Sequence, residues 1–288
     1  MIDRQARDLP LDAHVHTDLS HDSAVPIDEH ARQAAERGIA EIAITDHVDF
    51  APSAPGYGET TFANRERVVR DAAERWADRG VAIRFGVEIT WDSRYAVEIR
   101  EHLAQHAYDF VIGSVHIYRD SPYAPANVAA WVAGKSIDAV VAPYFAEVTA
   151  GAHTGLFDAM GHVDFVKRFL VPHVTRADLA AALELYEPIL RALVESGTAL
   201  EINTSGLRSP ADEMFPSPAV VARFHAIGGR AVTIGSDAHT TDSFAWALAD
   251  GYASAAGAGF STLAFRRGGG RVEVALAPSP NVAVGRSL

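Results

Sequence analysis

Short apolar runs alternate with longer amphipathic stretches along most of this chain. The apolar runs predict β-strands, and the stretches with apolar residues three and four positions apart predict helices. Strands are expected at residues 11–15, 41–45, 81–88, 110–115, 157–162, 200–203 and 231–234, with a last strand-like run at 260–265. Helices are expected at residues 27–37, 62–79, 93–106, 137–150, 217–227 and 243–255, and one more runs from a capping box at Thr175 and Asp178 to Gly197.

Two stretches interrupt this pattern. Residues 118–134 contain Pro122 and Pro125 and predict a long loop or lid. The triplet Gly268-Gly269-Gly270 lacks the strand–helix context of a phosphate-binding loop, so it predicts a turn or a flexible link.

About seven strand–helix units in one chain favour a single α/β barrel domain over residues 1–288 rather than two domains. An open, doubly wound sheet is the alternative. A barrel gathers the ends of its strands in a ring, whereas an open sheet sets them along a line. The positions of the candidate functional residues therefore decide between the two folds.

Composition excludes several classes of protein. The formal net charge is −12 and no stripe of Lys and Arg appears, so nucleic-acid binding is not expected. No apolar run reaches the ~18 residues of a membrane span, and residues 1–10 lack the apolar core of a signal peptide. The chain has no cysteine, so any metal must be held by His, Asp and Glu. A cysteine-free chain also fits a cytoplasmic location. None of these features indicates an oligomeric state.

The segment Asp12-Ala13-His14-Val15-His16 follows a short apolar opening and lies where the first strand would end. In a strand, residues i and i+2 point to the same face. The imidazoles of His14 and His16 are therefore expected to lie side by side. A single pair of this kind is also typical of an ordinary polar strand end. Evidence for metal binding must therefore come from the later strands.

Later strands also finish on residue types that bind metal. The full candidate set lies at, or just past, the C-terminal ends of predicted strands: His14, His16, Asp22, His47, Glu88, His116, His162, Asp237 and His239. Taken alone, each residue could have a purely structural role instead of binding metal. Glu88, for example, could form an ion pair with an arginine. Their occurrence together at strand ends needs a common explanation, because buried charges must be paired or bind metal. Nine ligands exceed what one tetrahedral ion uses. They suit two or three divalent ions, with Glu88 bridging two of them, and the ligand types do not choose among Mn, Fe and Zn.

Six motifs occur in order along the chain: Asp12-x-His14-x-His16, Thr45-Asp46-His47, Gly86-Val87-Glu88, Gly113-Ser114-Val115-His116, Gly161-His162 and Gly235-Ser236-Asp237-Ala238-His239. This set resembles the PHP (polymerase and histidinol phosphatase) superfamily. The resemblance implies a distorted (β/α)7 TIM-like barrel with a trinuclear metal site at the C-terminal ends of the strands. Residues 16–23, 161–168 and 201–208 narrow the resemblance to the monofunctional histidinol-phosphate phosphatases. It spans residues 11 to about 239.

The resemblance also implies which ligands share an ion. It groups His14, His16, Glu88 and Asp237 on a first ion, Glu88, His116 and His162 on a second, and His47, His239 and an acidic residue of the loop after the first strand on a third. Superfamily members place His or Asp at this last position, and the sequence offers both His21 and Asp22. The spacing of the histidinol-phosphatase-like motif favours Asp22, with His21 as its neighbour.

A water that bridges two divalent ions loses a proton near neutral pH, and the resulting hydroxide can attack phosphorus directly. Arg168 and Arg208 are expected to bind the phosphate, because guanidinium binds phosphate through two hydrogen bonds. Surface salt bridges are the alternative for both. Lys167 is expected to point away. Asp12 and Asp46 are expected to orient ligand histidines.

Several residues receive structural interpretations. Ser236 and Asn203 are expected to hold loop geometry. The remaining histidines lack a partner motif and are expected to be surface or structural residues: His30, His102, His106, His153, His173 and His225. The donor of the proton to the leaving group is not assigned.

The preferred hypothesis is a metal-dependent phosphomonoesterase that converts L-histidinol phosphate into L-histidinol and phosphate in histidine biosynthesis. A second hypothesis is the same chemistry on another small phosphate ester or a nucleotide, with Tyr118, Tyr123 and Trp131 lining the leaving-group pocket. A third is a non-catalytic PHP module that serves a polymerase.

Overall fold

Seven parallel strands form a nearly closed α/β barrel, and a short eighth strand pairs beside it. The computed structural model describes residues 8–58 and 62–276. Residues 1–7, which include most of the stretch tested for a signal peptide, lie outside the described part. The barrel strands are β1 (Asp12–Val15), β2 (Glu41–Ile44), β3 (His47–Val48), β4 (Ala82–Thr90), β5 (Phe110–Ser114), β6 (Ala159–Met160), β7 (Ala199–Asn203) and β8 (Val232–Gly235).

The helices lie outside the sheet in the usual strand–helix alternation of such barrels. They are α1 (Ile27–Arg37), α2 (Phe62–Ala77), α3 (Ala96–Gln105), α4 (Val128–Val132), α5 (Ile137–His153), α6 (Lys167–Leu170), α7 (Arg176–Ala180), α8 (Glu187–Ser196), α9 (Pro218–Ala226) and α10 (Leu248–Gly257). Their apolar faces pack on strands that are buried on both sides, as parallel strands usually are. A polar side chain on such a strand must therefore find a partner inside the protein.

The order of strands closes the ring. The sheet runs β1-β2-β4-β5-β6-β7-β8, all neighbours being parallel, and β3 pairs with β4 beyond the end of β2. Just past β8, the N–H of Asp237 donates to the carbonyl of His14, and the N–H of His16 donates to the carbonyl of Ala238, both at 2.9 Å. These bonds join the last strand end to the first, so the expected barrel is confirmed and the open sheet is not formed.

An antiparallel hairpin follows the barrel. It consists of β9 (Thr262–Arg267) and β10 (Gly270–Ala275), and Gly268 and Gly269 form its turn with φ values of +57° and +78°. The turn expected at the glycine triplet is confirmed. The strand β10 was not expected, because its residues alternate with charges and show only a weak apolar pattern.

The helix expected from Thr175 to Gly197 is broken. Thr175 and Asp178 do form the expected capping box on α7, but a 3-10 turn separates α7 from α8. Pro188 lies in the first turn of α8, where a proline is tolerated because its missing N–H would have no helical partner. The apolar period continues across the break, so the sequence pattern did not reveal it.

Three further boundaries differ from expectation. Residues 93–95 form a 3-10 turn before α3, and the last helix begins at Leu248 rather than at residue 243. The expected loop at 118–134 contains the short helix α4. Within the described residues, no helix is both long and apolar enough to cross a membrane.

Candidate metal centre and cleft

The C-terminal rim of the barrel collects all nine candidate ligands. Eight lie in or within four residues of a strand end on β1, β3, β4, β5, β6 and β8, and Asp22 lies in the loop after β1. His14, His16 and Glu88 are completely buried, and His162 is 1% exposed. Imidazoles and carboxylates are rarely buried in this number without a cation to share.

Glu88 is at the middle of this group. Its Oε2 lies 3.2 Å from His14 Nε2, 3.3 Å from His16 Nε2 and 3.1 Å from His47 Nδ1. Its Oε1 lies 2.9 Å from His162 Nε2 and 3.3 Å from His116 Nε2. Each oxygen of one carboxylate thus faces a different set of rings, which is the arrangement that a bridging carboxylate requires.

The donor atoms around Glu88 Oε2 have the spacing of a metal shell. His14 Nε2 and His16 Nε2 are 2.9 Å apart, and they lie 3.7 and 3.4 Å from Asp237 Oδ1. Four tetrahedral ligands at the ~2.0–2.1 Å of a zinc–nitrogen or zinc–oxygen bond would be about 3.3 Å apart. Together with the distances to Glu88, the spacings bracket that value, so these residues fit a divalent ion.

A further group surrounds Asp22. Its Oδ2 lies 3.1 Å from His47 Nε2 and 3.0 Å from His239 Nε2. His21 Nε2 is 3.9 Å from the same carboxylate oxygen, and the centroid of its ring lies 5.3 Å from that of His47. Of the two neighbours that the sequence offered, Asp22 is therefore the one with an oxygen within hydrogen-bond distance of two candidate ligands.

The groupings with donor atoms within 4.8 Å of one another differ in part from those that the resemblance implied. They are His14, His16 and Asp237; His47, Glu88 and His116; and His16, Asp22, His47 and His239. His47 and His16 thus each belong to two groups. The rings are also in contact, with centroids 4.1 Å apart for His16 and His239.

Electrostatic attraction between carboxylates and histidines shifts the pKa values of the candidate ligands. Burial alone would raise the pKa of Glu88, but His47, His14 and His116 hold that pKa well below its usual value. Burial alone would lower the pKa of His16, but the hydrogen bonds that its ring donates to Asp237 and Glu88 raise that pKa to about 9. The carboxylates are therefore anionic, as metal ligands must be.

The backbone turns sharply at two of these residues. His162 and Asp237 have φ values of +25° and +53°, in a region that residues other than glycine rarely occupy. Such conformations cost of order 1–3 kcal/mol and cluster at functional sites. Here they turn the chain out of β6 and β8 at the ring.

Glu201 on β7 was not among the residues predicted from the sequence, but it contacts the candidate ligands directly. It is completely buried, and its Oε1 accepts a hydrogen bond from His14 Nδ1 at 2.6 Å. Its Oε2 accepts from the backbone N–H of His162 at 2.9 Å and from Asn203 Nδ2 at 3.0 Å. With Nδ1 donating, the His14 ring presents the lone pair of Nε2 to the cluster. The signal available in the sequence was an acidic residue within an apolar strand.

Asp12 and Asp46 make different contacts from those expected. Asp12 accepts from Ser236 N at 2.9 Å and from Ser236 Oγ at 2.6 Å, and Asp46 accepts from Thr17 N at 2.6 Å and Thr17 Oγ1 at 2.8 Å. Both carboxylates hold strand ends instead of histidine rings, because the backbone N–H and the hydroxyl of Ser236 and of Thr17 are their nearest donors.

Other residues orient the ligands. Asn203 Nδ2 donates to Asp237 Oδ2 at 3.2 Å, and Thr90 Oγ1 lies 2.9 Å from His116 Nδ1. Gly235 allows β8 to approach β1, because a Cβ there would lie 2.3 Å from His14 Cβ. Small and polar residues thus fix the positions of three ligands.

The ring forms the floor of a cleft of about 550 Å3. Arg168 and Arg208 both line it. Arg208 donates to the carbonyls of Ser236 and Ser243 at 3.0 Å, which fixes its guanidinium, and burial together with the neighbouring Arg168 lowers its pKa. No ion pair of Arg168 occurs within residues 8–58 and 62–276.

Lys167 points away from the cleft, as expected. It is 2% exposed, and its Nζ lies 2.9 Å from both Asp164 Oδ2 and Glu213 Oε2. Of the three aromatic residues expected to line the leaving-group pocket, only one does so. Tyr118 lines the cleft, whereas the side chains of Tyr123 and Trp131 donate to the carbonyl of Val140 and lie elsewhere.

The remaining histidines stay outside the ring. His30 is buried and its Nε2 donates to the carbonyl of His16, so it has a structural role. His102 Nε2 lies 2.9 Å from Tyr108 Oη, and His106 stacks on Phe62 with centroids 4.2 Å apart. None of these rings belongs to a metal-type group within the described part of the chain.

The family model described as PHP domain matches residues 12–205, and the chain belongs to this family. It is a hydrolase of the phosphatase type and binds divalent metal.

Proteins similar to this chain have names that are more specific than that of the family. A probable histidinol-phosphatase of Deinococcus radiodurans is 30% identical over 262 residues, which cover 88% of this chain and 96% of that protein. The histidinol-phosphatase of Lactococcus lactis is 28% identical over 236 residues, covering 80% of this chain and 84% of that protein. The crystal structure of the L. lactis histidinol phosphate phosphatase complexed with Zn, L-histidinol and phosphate aligns with a TM-score of 0.80 at 26% identity, over 91% of this chain and 98% of that chain.

Proposed function

We propose that this protein hydrolyses L-histidinol phosphate to L-histidinol and phosphate, a step of histidine biosynthesis. The observation that carries the phosphatase chemistry is the Glu88 carboxylate, whose two oxygens face separate groups of histidines beneath a cleft that Arg168 and Arg208 line. The choice of substrate is supported by the similarity to histidinol-phosphatases. A cytoplasmic location and a single domain over residues 1–288 are part of the proposal.

The proposed metal complement is two or three ions of Mn, Fe or Zn. The ligands are the nine residues of the ring, grouped on a first ion by His14, His16, Glu88 and Asp237, on a second by Glu88, His116 and His162, and on a third by Asp22, His47 and His239. Donor distances of 2.9–3.7 Å support the first group. Contacts of 2.9 and 3.3 Å at Glu88 Oε1, and of 3.0 and 3.1 Å at Asp22 Oδ2, support the second and third groups.

When bound, the ions supply a deprotonated water as nucleophile and offset the charge of the phosphoryl group. The residues of the chain do the rest. Arg208, fixed by two carbonyls, and Arg168, which has no ion pair in the described segments, bind phosphoryl oxygens. Glu201 keeps the proton of His14 on Nδ1, and Thr90 holds the ring of His116. These contacts limit reorganisation when negative charge develops on the substrate.

A second substrate class has support from the cleft itself. Its volume of about 550 Å3 exceeds what a phosphate alone needs, so another small phosphate ester or a nucleotide is the alternative. The relatives are phosphatases, so a non-catalytic module has no support.

Steady-state phosphate release by the Mn-loaded protein from L-histidinol phosphate and a panel of other phosphomonoesters tests the proposal. We expect a kcat/KM of roughly 10⁴ M⁻¹s⁻¹ or more on L-histidinol phosphate, in the range of natural substrates. We also expect His14→Ala and Glu88→Ala to abolish release. Equal rates on para-nitrophenyl phosphate and L-histidinol phosphate would refute the assigned substrate and leave the phosphatase chemistry in place.

A further inference from the structure

One wall of the cleft carries a carboxylate that the proposed chemistry does not use. Asp49 directly follows β3, lines the cleft and is 7% exposed. Its Oδ1 accepts from Tyr118 Oη at 3.0 Å, and its Oδ2 accepts from the N–H of Gly56 at 3.2 Å. A Cβ on residue 56 would lie 2.6 Å from Asp49 Oδ2, so a glycine is needed for this approach.

The two hydrogen-bond partners of Asp49, Tyr118 and Gly56, are uncharged. Within residues 8–58 and 62–276, no Lys or Arg forms an ion pair with it, although buried carboxylates normally have such a partner. A negative charge in this position also repels an incoming phosphate. The carboxylate is therefore costly for phosphate binding unless the substrate itself brings a positive charge to this wall.

Strand order places Asp49 across the cleft from the arginines. Asp49 follows β3, which pairs with β4, whereas Arg168 and Arg208 follow β6 and β7. Around the barrel, β4 and β5 separate these loops on one side, and β8 and β1 separate them on the other. The two arginines and Asp49 thus lie on different sides of the cleft, with metal ligands between them.

We propose that Asp49 is a specificity-determining residue that binds a cationic group on the alcohol part of the substrate. A phosphate ester of an amino alcohol matches both sides of the cleft, since its phosphate faces the arginines and its ammonium or imidazolium faces Asp49. The inference rests on the proposed phosphatase activity and deepens it. Because this contact is remote from phosphorus, it acts mainly on substrate binding and so on KM.

The test compares 3-aminopropyl phosphate with propyl phosphate, which differ only in the amine, on wild-type protein and on Asp49→Asn. We expect the wild type to favour the amino ester about 10- to 100-fold in kcat/KM, the range of a hydrogen bond to a charged group. Asp49→Asn should bring this ratio close to one through KM. Tyr118→Phe is the matched control, because it removes the hydroxyl from Asp49 while leaving the carboxylate, and it should keep the preference.

Other outcomes overturn the inference. An unchanged ratio in Asp49→Asn does so, and so does an equal loss on both esters. Loss of the preference in Tyr118→Phe would mean that Asp49 acts only by positioning the tyrosine. If Asp49→Asn fails to fold, wild-type protein suffices: N-acetyl-3-aminopropyl phosphate should be hydrolysed as slowly as propyl phosphate, and rates equal to the free amine refute the inference. Failure on L-histidinol phosphate with the amine preference intact would refute only the assigned substrate.

Discussion

Replacing Glu201 by glutamine should weaken metal binding without touching a metal ligand. All three partners of this buried carboxylate are donors, namely His14 Nδ1, the N–H of His162 and Asn203 Nδ2. A glutamine side chain has one acceptor oxygen and one NH2 group. Whichever way it turns, its NH2 faces a donor, either His14 on one side or His162 and Asn203 on the other.

In either orientation, the glutamine amide loses at least one of the hydrogen bonds that the carboxylate accepts. An unmade buried hydrogen bond costs about 1–3 kcal/mol. If the NH2 faces His14, the ring can accept this bond only by moving its proton to Nε2, which removes the lone pair that points to Glu88 and Asp237. Loss of such an orienting partner typically lowers metal affinity or activity about 10- to 100-fold. We expect Glu201→Gln to fall in this range.

The assay measures bound metal by elemental analysis after dialysis against a chelator of known affinity, together with phosphate release. Glu41→Gln is a matched control, because Glu41 is 2% exposed, lies on β2 at the opposite end of the barrel and pairs with Arg84 and Arg267. It should lose stability but keep metal affinity. Wild-type metal affinity and activity in folded Glu201→Gln would refute the role assigned to this carboxylate.

The other predictions concern the frame around the site. Gly235→Ala would place a Cβ 2.3 Å from His14 Cβ, so we expect lower metal content and activity in a protein with near-native circular dichroism; unchanged activity would show that β8 can move away. Lys167→Met leaves Asp164 and Glu213 without their cation, at a cost of about 3–5 kcal/mol. A lower melting temperature with partial rescue by a second change, Asp164→Asn, is expected, and an unchanged melting temperature would contradict it. Chelating divalent ions should lower the melting temperature reversibly, since a ligand at 1,000 times its Kd stabilises by about 4 kcal/mol; no shift on chelation would argue against structural coupling of the ions.

The fold and the ring of candidate ligands could be predicted because their signals are local. Each strand end carries its own histidine or carboxylate, as at Ser114-Val115-His116, and closure of the barrel then brings these ends together. The helix α1 and its stop at Gly38, which has a φ of +68°, likewise depend on neighbouring residues alone. The ligand roles of the ring remain predictions.

The misjudged features depend on distant contacts. Glu201 contacts His14, 187 positions away, and the ladder of strands that joins them has no trace in local spacing. Asp12 is two residues from a ligand, yet its side chain contacts Ser236 on the neighbouring strand end. Trp131 was expected in the cleft, but it donates to Val140 instead. The break before α8 is the exception, since Pro188 marks it locally but the uninterrupted apolar period favoured one helix.

Metal reconstitution tests the central claim most directly. Protein stripped of metal is titrated with Mn or Zn while bound ions per chain and phosphate release from L-histidinol phosphate are measured on the same samples. We expect two to three ions per chain and activity that rises as they bind, with Glu88→Ala binding fewer ions and remaining inactive. Full phosphatase activity in the stripped protein, or no bound ion at saturating metal, would contradict it.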